Sequence, residues 1–364
     1  MTGLRAFSTV ALPDDAFAAT YLESTRSQRE RLSRELERNM VTFLGGARFT
    51  ISPEARRGAE ETVTSATLAF YDPVEHRLYL REVIPPELAG PDNEDERVWT
   101  LAHELGHVLQ DGWGVLGREP ETLDEALAYK AVIEGDASFT ATLVLGARQG
   151  RPVGQTVARA LIRHHSADDP PVGDGLEAIN ESVLQFPYEK GERFILELHR
   201  AGGLEAVQRA LTKPPLRTAQ IFDAAGWLAG RDLRLAEPDV PARGSFGAAL
   251  LGSLVELCAQ KSMREKPTAR MGLRYALAHY VDDHFYVEGP VVVWRSSWSG
   301  LDPKEFDWVP FGLGAVTGCL VDASVGVSGW RMGDDFFTVL GGDAEQRQAV
   351  RWREAAPERP APVP

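Results

Sequence analysis

Residues 98–111, Val-Trp-Thr-Leu-Ala-His-Glu-Leu-Gly-His-Val-Leu-Gln-Asp, constrain this chain more than any other stretch. His103 and His107 are four apart, which on a helix stacks two imidazoles on one face, one turn from each other. Glu104 lies on the neighbouring row. Val98, Leu101, Leu105 and Val108 recur at helical spacing, Asn93, Asp95 and Glu96 favour a helix start, and Gly112 supplies a stop. The spacing predicts a helix whose two imidazoles hold a zinc ion, with Glu104 as the general base toward an activated water. The bland alternative is a chance His-Glu-x-x-His on an amphipathic helix. A third ligand separates the two.

One solution places Gly three residues past the second His and another His three further on. Gln110 and Trp113 hold those positions here, so that solution is excluded. The other is a glutamate from a later helix, and residues 123–140 read as such a helix. Glu134 sits among Ala131, Val132, Ile133, Ala137 and Phe139. A carboxylate in that company is costly to bury unless it is paired or bound to metal. Gly135 beside it carries a helix penalty, which a close approach by the histidine helix or by the ion would explain. The alternative is a glutamate on the wet face of an ordinary helix. With His103 and His107 upstream, Glu134 is expected as the third metal ligand.

The 364 residues suit one large or two ordinary domains. A net charge of −14 argues against nucleic acid as a partner, because phosphate binding needs a basic surface. No apolar run approaches the ~20 residues of a membrane span. The N-terminus is too short and broken for a secretory signal, so the chain as given reads as cytoplasmic unless a leader was trimmed. Cys258 and Cys319 are far apart, match no metal spacing or disulfide framework, and are expected as buried thiols.

Along the chain, residues 14–40 read as a long surface helix of mixed charge. Residues 41–52 suit a strand or hairpin, and 53–65 a short helix. Residues 67–80 are written as a hairpin about Asp72-Pro73, whose edge would accept an extended peptide. His76 is expected as a turn residue. Residues 153–166 form a candidate helix ending in His164-His165, 168–175 a loop, 176–203 a second informative stretch, and 204–213 a helix stopped by Pro214-Pro215. Residues 231–244 look like a linker. Helices are expected at 246–263 and 268–281, strands at 291–294, 320–325 and 336–340, and a helix or strand at 343–354. The last nine residues, 356–364, read as a disordered tail.

The order of these motifs resembles the gluzincin metallopeptidases, of the peptidase MA-like type, in bacterial predicted zinc metalloproteases. The similar segments are Phe70 to Pro73, His103 to His107, Ile133 to Ala137, Pro187 to Phe194 and Pro214 to Thr218, so the resemblance covers roughly residues 67–220. It implies one zinc ion held by His103, His107 and Glu134, Glu104 as general base, and a peptide or protein substrate. Pro187-Tyr-Glu-Lys-Gly191 is also similar to a segment of the gluzincin aminopeptidases, whose tyrosine bonds the tetrahedral intermediate. That implies a catalytic role for Tyr188. A Gly-x-Met-Glu-Asn strand, needed there to grip a substrate amine, does not precede residue 103, which argues for endoproteolysis. The 26 residues between His107 and Glu134 exceed the aminopeptidase gap, implying an insertion around 112–121.

The fold class expected is α+β. Residues 1–235 would form a mainly helical zincin-like domain: N-terminal helix and strands 1–90, metal helices 95–147, helical subdomain 153–235. A smaller α+β module, 243–355, would follow. Tyr188, after a proline that restricts Phe186 to extended geometry, is expected at a helix entry with its hydroxyl in a cleft. An aromatic staple packing that helix is the alternative. Two other functions stand beside the peptidase: a metal-dependent hydrolase of a non-peptide amide or ester, and a catalytically silent zinc-stabilised binding protein. The intact Glu104 speaks against the last.

Overall fold

The structure, a computed structural model, describes residues 6–44, 57–58, 64, 67–84, 94–166, 176–231, 242–262, 276–302, 304–321 and 324–354. The expectations for 45–52, for most of 53–65, for the loop 168–175, for most of the linker 231–244, for 263–275 and for the tail from 356 lie outside them. The fold is α+β and dominated by helices. No described helix is long and apolar enough to cross a membrane. The chain divides into two compact units. The first takes its described residues from within 1–34, 51–171 and 176–232, the second from within 35–50 and 233–364.

In the first unit, β2 (Ala69–Asp72) and β3 (Arg77–Arg81) form the expected hairpin, paired Phe70 with Tyr79 and Asp72 with Arg77. The Asp72 carboxylate accepts the amides of Val74 and Glu75, at 2.7 and 3.0 Å, and closes the turn. His76 takes φ 53° there, as a turn residue does. A strand not foreseen, β1 (Ser8–Leu12), adds parallel to β3, so the sheet order is β1-β3-β2 and, among the described residues, β2 is an edge. Alternation sorts the sheet into two faces. Phe70 and Tyr79 pack with Phe17 and Tyr21 of α1 (Asp14–Phe43). Ala69, Tyr71 and Leu78 pack with Val108 of α2 (Glu94–Gly112), the histidine helix.

Helix α3 (Leu123–Arg148) starts at Thr122, whose hydroxyl accepts the Glu125 amide, and is buried along most of its length. Helix α4 (Val153–Ser166) follows, then α5 (Leu176–Thr212), which kinks at Gly203 (φ 65°, ψ −158°) where two helices were expected to meet. Two contacts explain the glycines. A Cβ on Gly106 of α2 would stand 3.0 Å from the Ala137 Cα of α3. A Cβ on Gly135 would run into the Gly191 backbone of α5, and one on Gly191 into the Ala131 carbonyl. The close approach at Gly135 is therefore to α5, not to the histidine helix or an ion. Short helices α6 (Thr218–Phe222) and α7 (Ala224–Leu228) complete the unit.

In the second unit, α8 (Gly247–Ser262) precedes an antiparallel sheet of β4 (Tyr280–Glu288), β5 (Val291–Trp298), β6 (Val327–Met332) and β7 (Asp335–Gly341), in the order β4-β5-β7-β6. The last turns of α1 belong here: Phe43 sits edge-on against Phe246, Phe285 and Trp294. Residues 41–43 are thus helical, not strand. Helix α9 (Trp308–Leu320) ends where a strand was expected at 320–325. Its apolar side chains Val309, Leu313 and Val316 are buried from a helix, with Pro310 in the first turn, where it displaces no hydrogen bond. The helix expected at 268–281 gives way to β4 at Tyr280. Residues 344–354 form α10.

The buried-thiol expectation is corrected as well. Cys258 of α8 and Cys319 of α9 form a disulfide, with Cα atoms 5.6 Å apart. Two helices packed side by side create that pairing, and a separation of 61 residues gave no sign of it. Thiol titration of the denatured, unreduced chain is expected to find no free thiol. Reduction is expected to lower the stability of the second unit by about 4 kcal/mol, the value for closing a loop of this order. Two titratable thiols in unreduced protein would overturn the pairing.

Candidate metal centre

Every candidate site residue lies in the first unit. Helix α2 presents His103 and His107 on one face, and α3 crosses it at Gly106 and Ala137 so that Glu134 meets both rings. The His103 Nε2 lies 3.1 Å from the His107 Nε2, and the Glu134 Oε2 lies 3.2 and 3.4 Å from the two. A four-coordinate zinc with bonds of ~2.0–2.1 Å holds its ligands about 3.3 Å apart. The three atoms therefore already have the spacing of one face of such a tetrahedron. Among the described residues this is the one cluster of three His, Cys, Asp or Glu side chains that could hold a metal ion.

The hydrogen bonds behind the ligands fix which nitrogen faces the centre. Gln110 Nε2 donates to the Ile133 carbonyl and to the Asp136 carboxylate, each at 2.9 Å. A carbonyl only accepts, so the amide orientation of Gln110 is set and its Oε1 faces His107 Nδ1 at 2.8 Å. His107 Nδ1 must then carry a proton, and its Nε2 presents a lone pair when the ring is neutral. His103 Nδ1 meets the Ser138 hydroxyl at 3.3 Å, and its ring stacks on Trp99. These are the partners that orient metal-binding imidazoles. Asp136, two residues past Glu134, acts on His107 through Gln110. Sequence reasoning missed Gln110. The signal was available: a polar residue three past His107, on the same helix row, at a fully buried position.

Glu104 is buried beside the triad, where its Oε2 accepts the Tyr71 amide at 2.8 Å. Burial pushes its carboxyl above the usual range, against the pull of both imidazoles. A carboxylate so placed is a better proton acceptor than a solvated one. Burial would push Glu134 up too, but the His107 charge, bonds from both rings and Lys130 hold it well below the usual range.

Tyr188 reaches the same place, by a route the sequence did not suggest. It stands inside α5, directly after Pro187, and Phe186 is helical rather than extended. The helix tolerates Pro187 because the surrounding packing holds both sides of it, so no helix entry occurs there. Its ring lies over His103 with centroids 6.2 Å apart. The outer part of the residue is exposed, while its phenol lies close enough to Glu134 to feel that carboxylate's charge. Burial and the charges of Glu134 and Glu104 hold this phenol well above the ordinary tyrosine range. A second phenol, Tyr21 of α1, was not foreseen. Burial and the same two carboxylates push it up to about 12. Both phenols are neutral donors near neutral pH. His164, expected as a helix-end residue rather than a ligand, pairs with buried Glu192 at 3.0 Å and takes no part in the triad.

His107 gives the centre a testable pH signature. Burial alone would lower its pKa, but Glu134 and Glu104 overturn that and raise it from 6.5 to about 9. The folded value exceeds the unfolded one, so this proton stabilises the metal-free protein fully below about pH 6.5, and that stability is lost as pH rises through about 9. Metal-free protein is expected to lose a few kcal/mol between these limits. Zinc binding at pH 7.5 is expected to release about one proton, read by calorimetry in buffers of differing ionisation enthalpy. Binding without proton release would contradict the assignment.

No protein-family model matches the chain, and a search of curated proteins finds no match.

Proposed function

We propose that the chain is a zinc-dependent metallopeptidase of gluzincin type, acting on a peptide or protein. One observation carries the reading: two imidazole nitrogens and a carboxylate oxygen within 3.1–3.4 Å of each other, with a buried glutamate alongside them. A structural zinc site has no use for such a base. His103, His107 and Glu134 would hold the ion, which when bound supplies the Lewis acidity that makes water nucleophilic near neutral pH.

The chain's own groups account for the remaining steps. Glu104 takes the proton of the attacking water and delivers it to the leaving amine. The Tyr188 hydroxyl donates to the oxyanion formed on the former carbonyl. Edge strand β2 supplies a place for the substrate backbone. Arg81 N–H donates to the Leu68 carbonyl at 3.0 Å, so the alternating ladder bonds Phe70 and Asp72 inward and turns the backbone groups of Ala69 and Tyr71 outward. The Tyr71 amide already reaches Glu104. An extended peptide adding to this edge passes directly over the base.

The test is whether purified protein holds one zinc ion and cleaves an unfolded protein in a chelator-sensitive way. Absence of cleavage by zinc-loaded protein would overturn the reading. A sharper test addresses Tyr188. Tyr188→Phe keeps the ring over His103 and removes only the hydroxyl. Turnover is expected to fall ~10- to 1000-fold, with zinc content and melting temperature nearly unchanged. Full activity would reduce Tyr188 to a packing role.

The disulfide bears on location. Disulfides persist in oxidising compartments and are rare in reducing cytosol. Cys258–Cys319 therefore supports an oxidising compartment over the cytoplasmic one expected from the sequence. Alkylation of the chain trapped in its producing cells would find free thiols if the cytoplasm is correct.

A further inference from the structure

Lys130 lies on α3 one turn before Glu134, so both side chains share a face. Its Nζ stands 6.0 Å from the centroid of the Tyr188 ring, and its charge acts on Glu134. The side chain is half-buried, and among the described residues no carboxylate comes within ion-pair distance of it. Glu134, the nearest acidic neighbour on the helix, is already engaged by both imidazoles. An ammonium partly removed from water, whose neighbouring carboxylate is shared with two imidazoles, gains from a further anionic partner.

The charge of the centre says what that partner is. Glu134 in the triad and Glu104 beside it are the carboxylates that a divalent cation would face most directly. Tyr21 and Tyr188 stay neutral. With such an ion drawing on Glu134, the Lys130 ammonium would face an incoming anion, on a protein whose total charge is −14. A cation kept at one spot in an acidic protein is a means of selecting a local anion rather than attracting anions generally.

We infer that Lys130 recognises a carboxylate of the substrate and makes this centre selective for peptides that carry one close to the bond cut. The inference rests on the peptidase reading. Four residues of helix offset Lys130 from Glu134 by about 6 Å, and an extended peptide rises ~3.3 Å per residue, so the carboxylate lies about two residues from the scissile bond. It is either an Asp or Glu side chain at that position or the chain's own terminal carboxylate. Both present the same group to Lys130, and the experiment separates them.

Two measurements test this. The first does not depend on turnover: the Lys130 Nζ resonance of zinc-loaded protein is followed while N-acetyl-Ala-Ala, N-acetyl-Ala-Asp-amide or N-acetyl-Ala-Ala-amide is added. A shift is expected with at least one of the two carboxylate-bearing peptides and not with the last; no shift with either carboxylate overturns the proposal. The second digests a peptide library, native and with all carboxyls amidated, using wild-type protein and Lys130→Glu. Wild type is expected to favour native peptides about 10-fold or more. Lys130→Glu is expected to reverse the preference toward Lys or Arg at the same position, which a purely structural lysine would not produce. Cuts at a fixed distance from the C-terminus identify the terminal carboxylate; internal cuts near Asp or Glu identify the side chain. Identical profiles for the two proteins overturn the proposal. If wild type cuts no peptide, the peptidase reading fails by itself and the Lys130 resonance still decides this one.

Discussion

Glu134→Ala is expected to empty the centre. The variant keeps two imidazoles and loses the one anionic ligand, so equilibrium zinc titration should show affinity lower by two orders of magnitude or more. Turnover should fall to background with it. The lesion also removes the charge that holds His107 protonated, so the pH dependence of metal-free stability should flatten. Two comparisons make the result specific. Gln110→Ala removes the acceptor that fixes the His107 ring and is expected to cost ~10- to 100-fold in affinity. Asp136→Ala leaves Gln110 bonded to the Ile133 carbonyl and is expected to cost less than either. If Asp136→Ala loses zinc as fully as Glu134→Ala, the wrong carboxylate has been named as ligand.

The ranking of these variants depends on where each residue's signal lies. The two histidines were legible because a ligand pair four apart on one helix is a local pattern. Glu134 was legible through its company: a carboxylate among Ala131, Val132, Ile133 and Ala137 needs a partner, and the structure supplies the two imidazoles. Gly135 signalled a close approach but not by what, because a missing side chain records contact and not identity. The neighbour is Gly191 on a helix fifty-odd residues later, and that contact carries Tyr188, one turn before it, to Glu134. Strand β1 was overlooked because five residues carry little periodicity and their partner, β3, lies some seventy residues on. Tyr21 was illegible for a related reason. Its helix reads as a charged surface helix, and only the sheet face made by Phe70 and Tyr79 turns that tyrosine inward. The disulfide fails the same test, since nothing near either cysteine announces the other. Proline misled in the opposite direction. Pro187 predicts a break by local sterics, and the packing of α5 on α3 overrides it.

Glu104→Gln is the second large effect, and it separates chemistry from metal binding. The substitution is nearly isosteric. Its amide carbonyl still accepts the Tyr71 N–H that Glu104 holds at 2.8 Å, so the β2 edge and the helix should stay in register. Neither ligand imidazole bonds Glu104 directly, so zinc stoichiometry should remain at one. What is lost is the proton acceptor. Burial raises the Glu104 carboxyl above its ordinary range, which brings its basicity closer to that of the proton it must take. A carboxamide has no such basicity at any working pH. Turnover is therefore expected to fall by about two orders of magnitude or more, the range for removing a positioned base. Binding of uncut peptide should change much less, because the residues that would hold it are untouched. Metal analysis, turnover and a binding measurement on the same preparation read all three. Near-normal turnover with zinc in place would remove Glu104 from the chemistry. Loss of zinc together with turnover would instead make Glu104 part of the metal's support rather than the base.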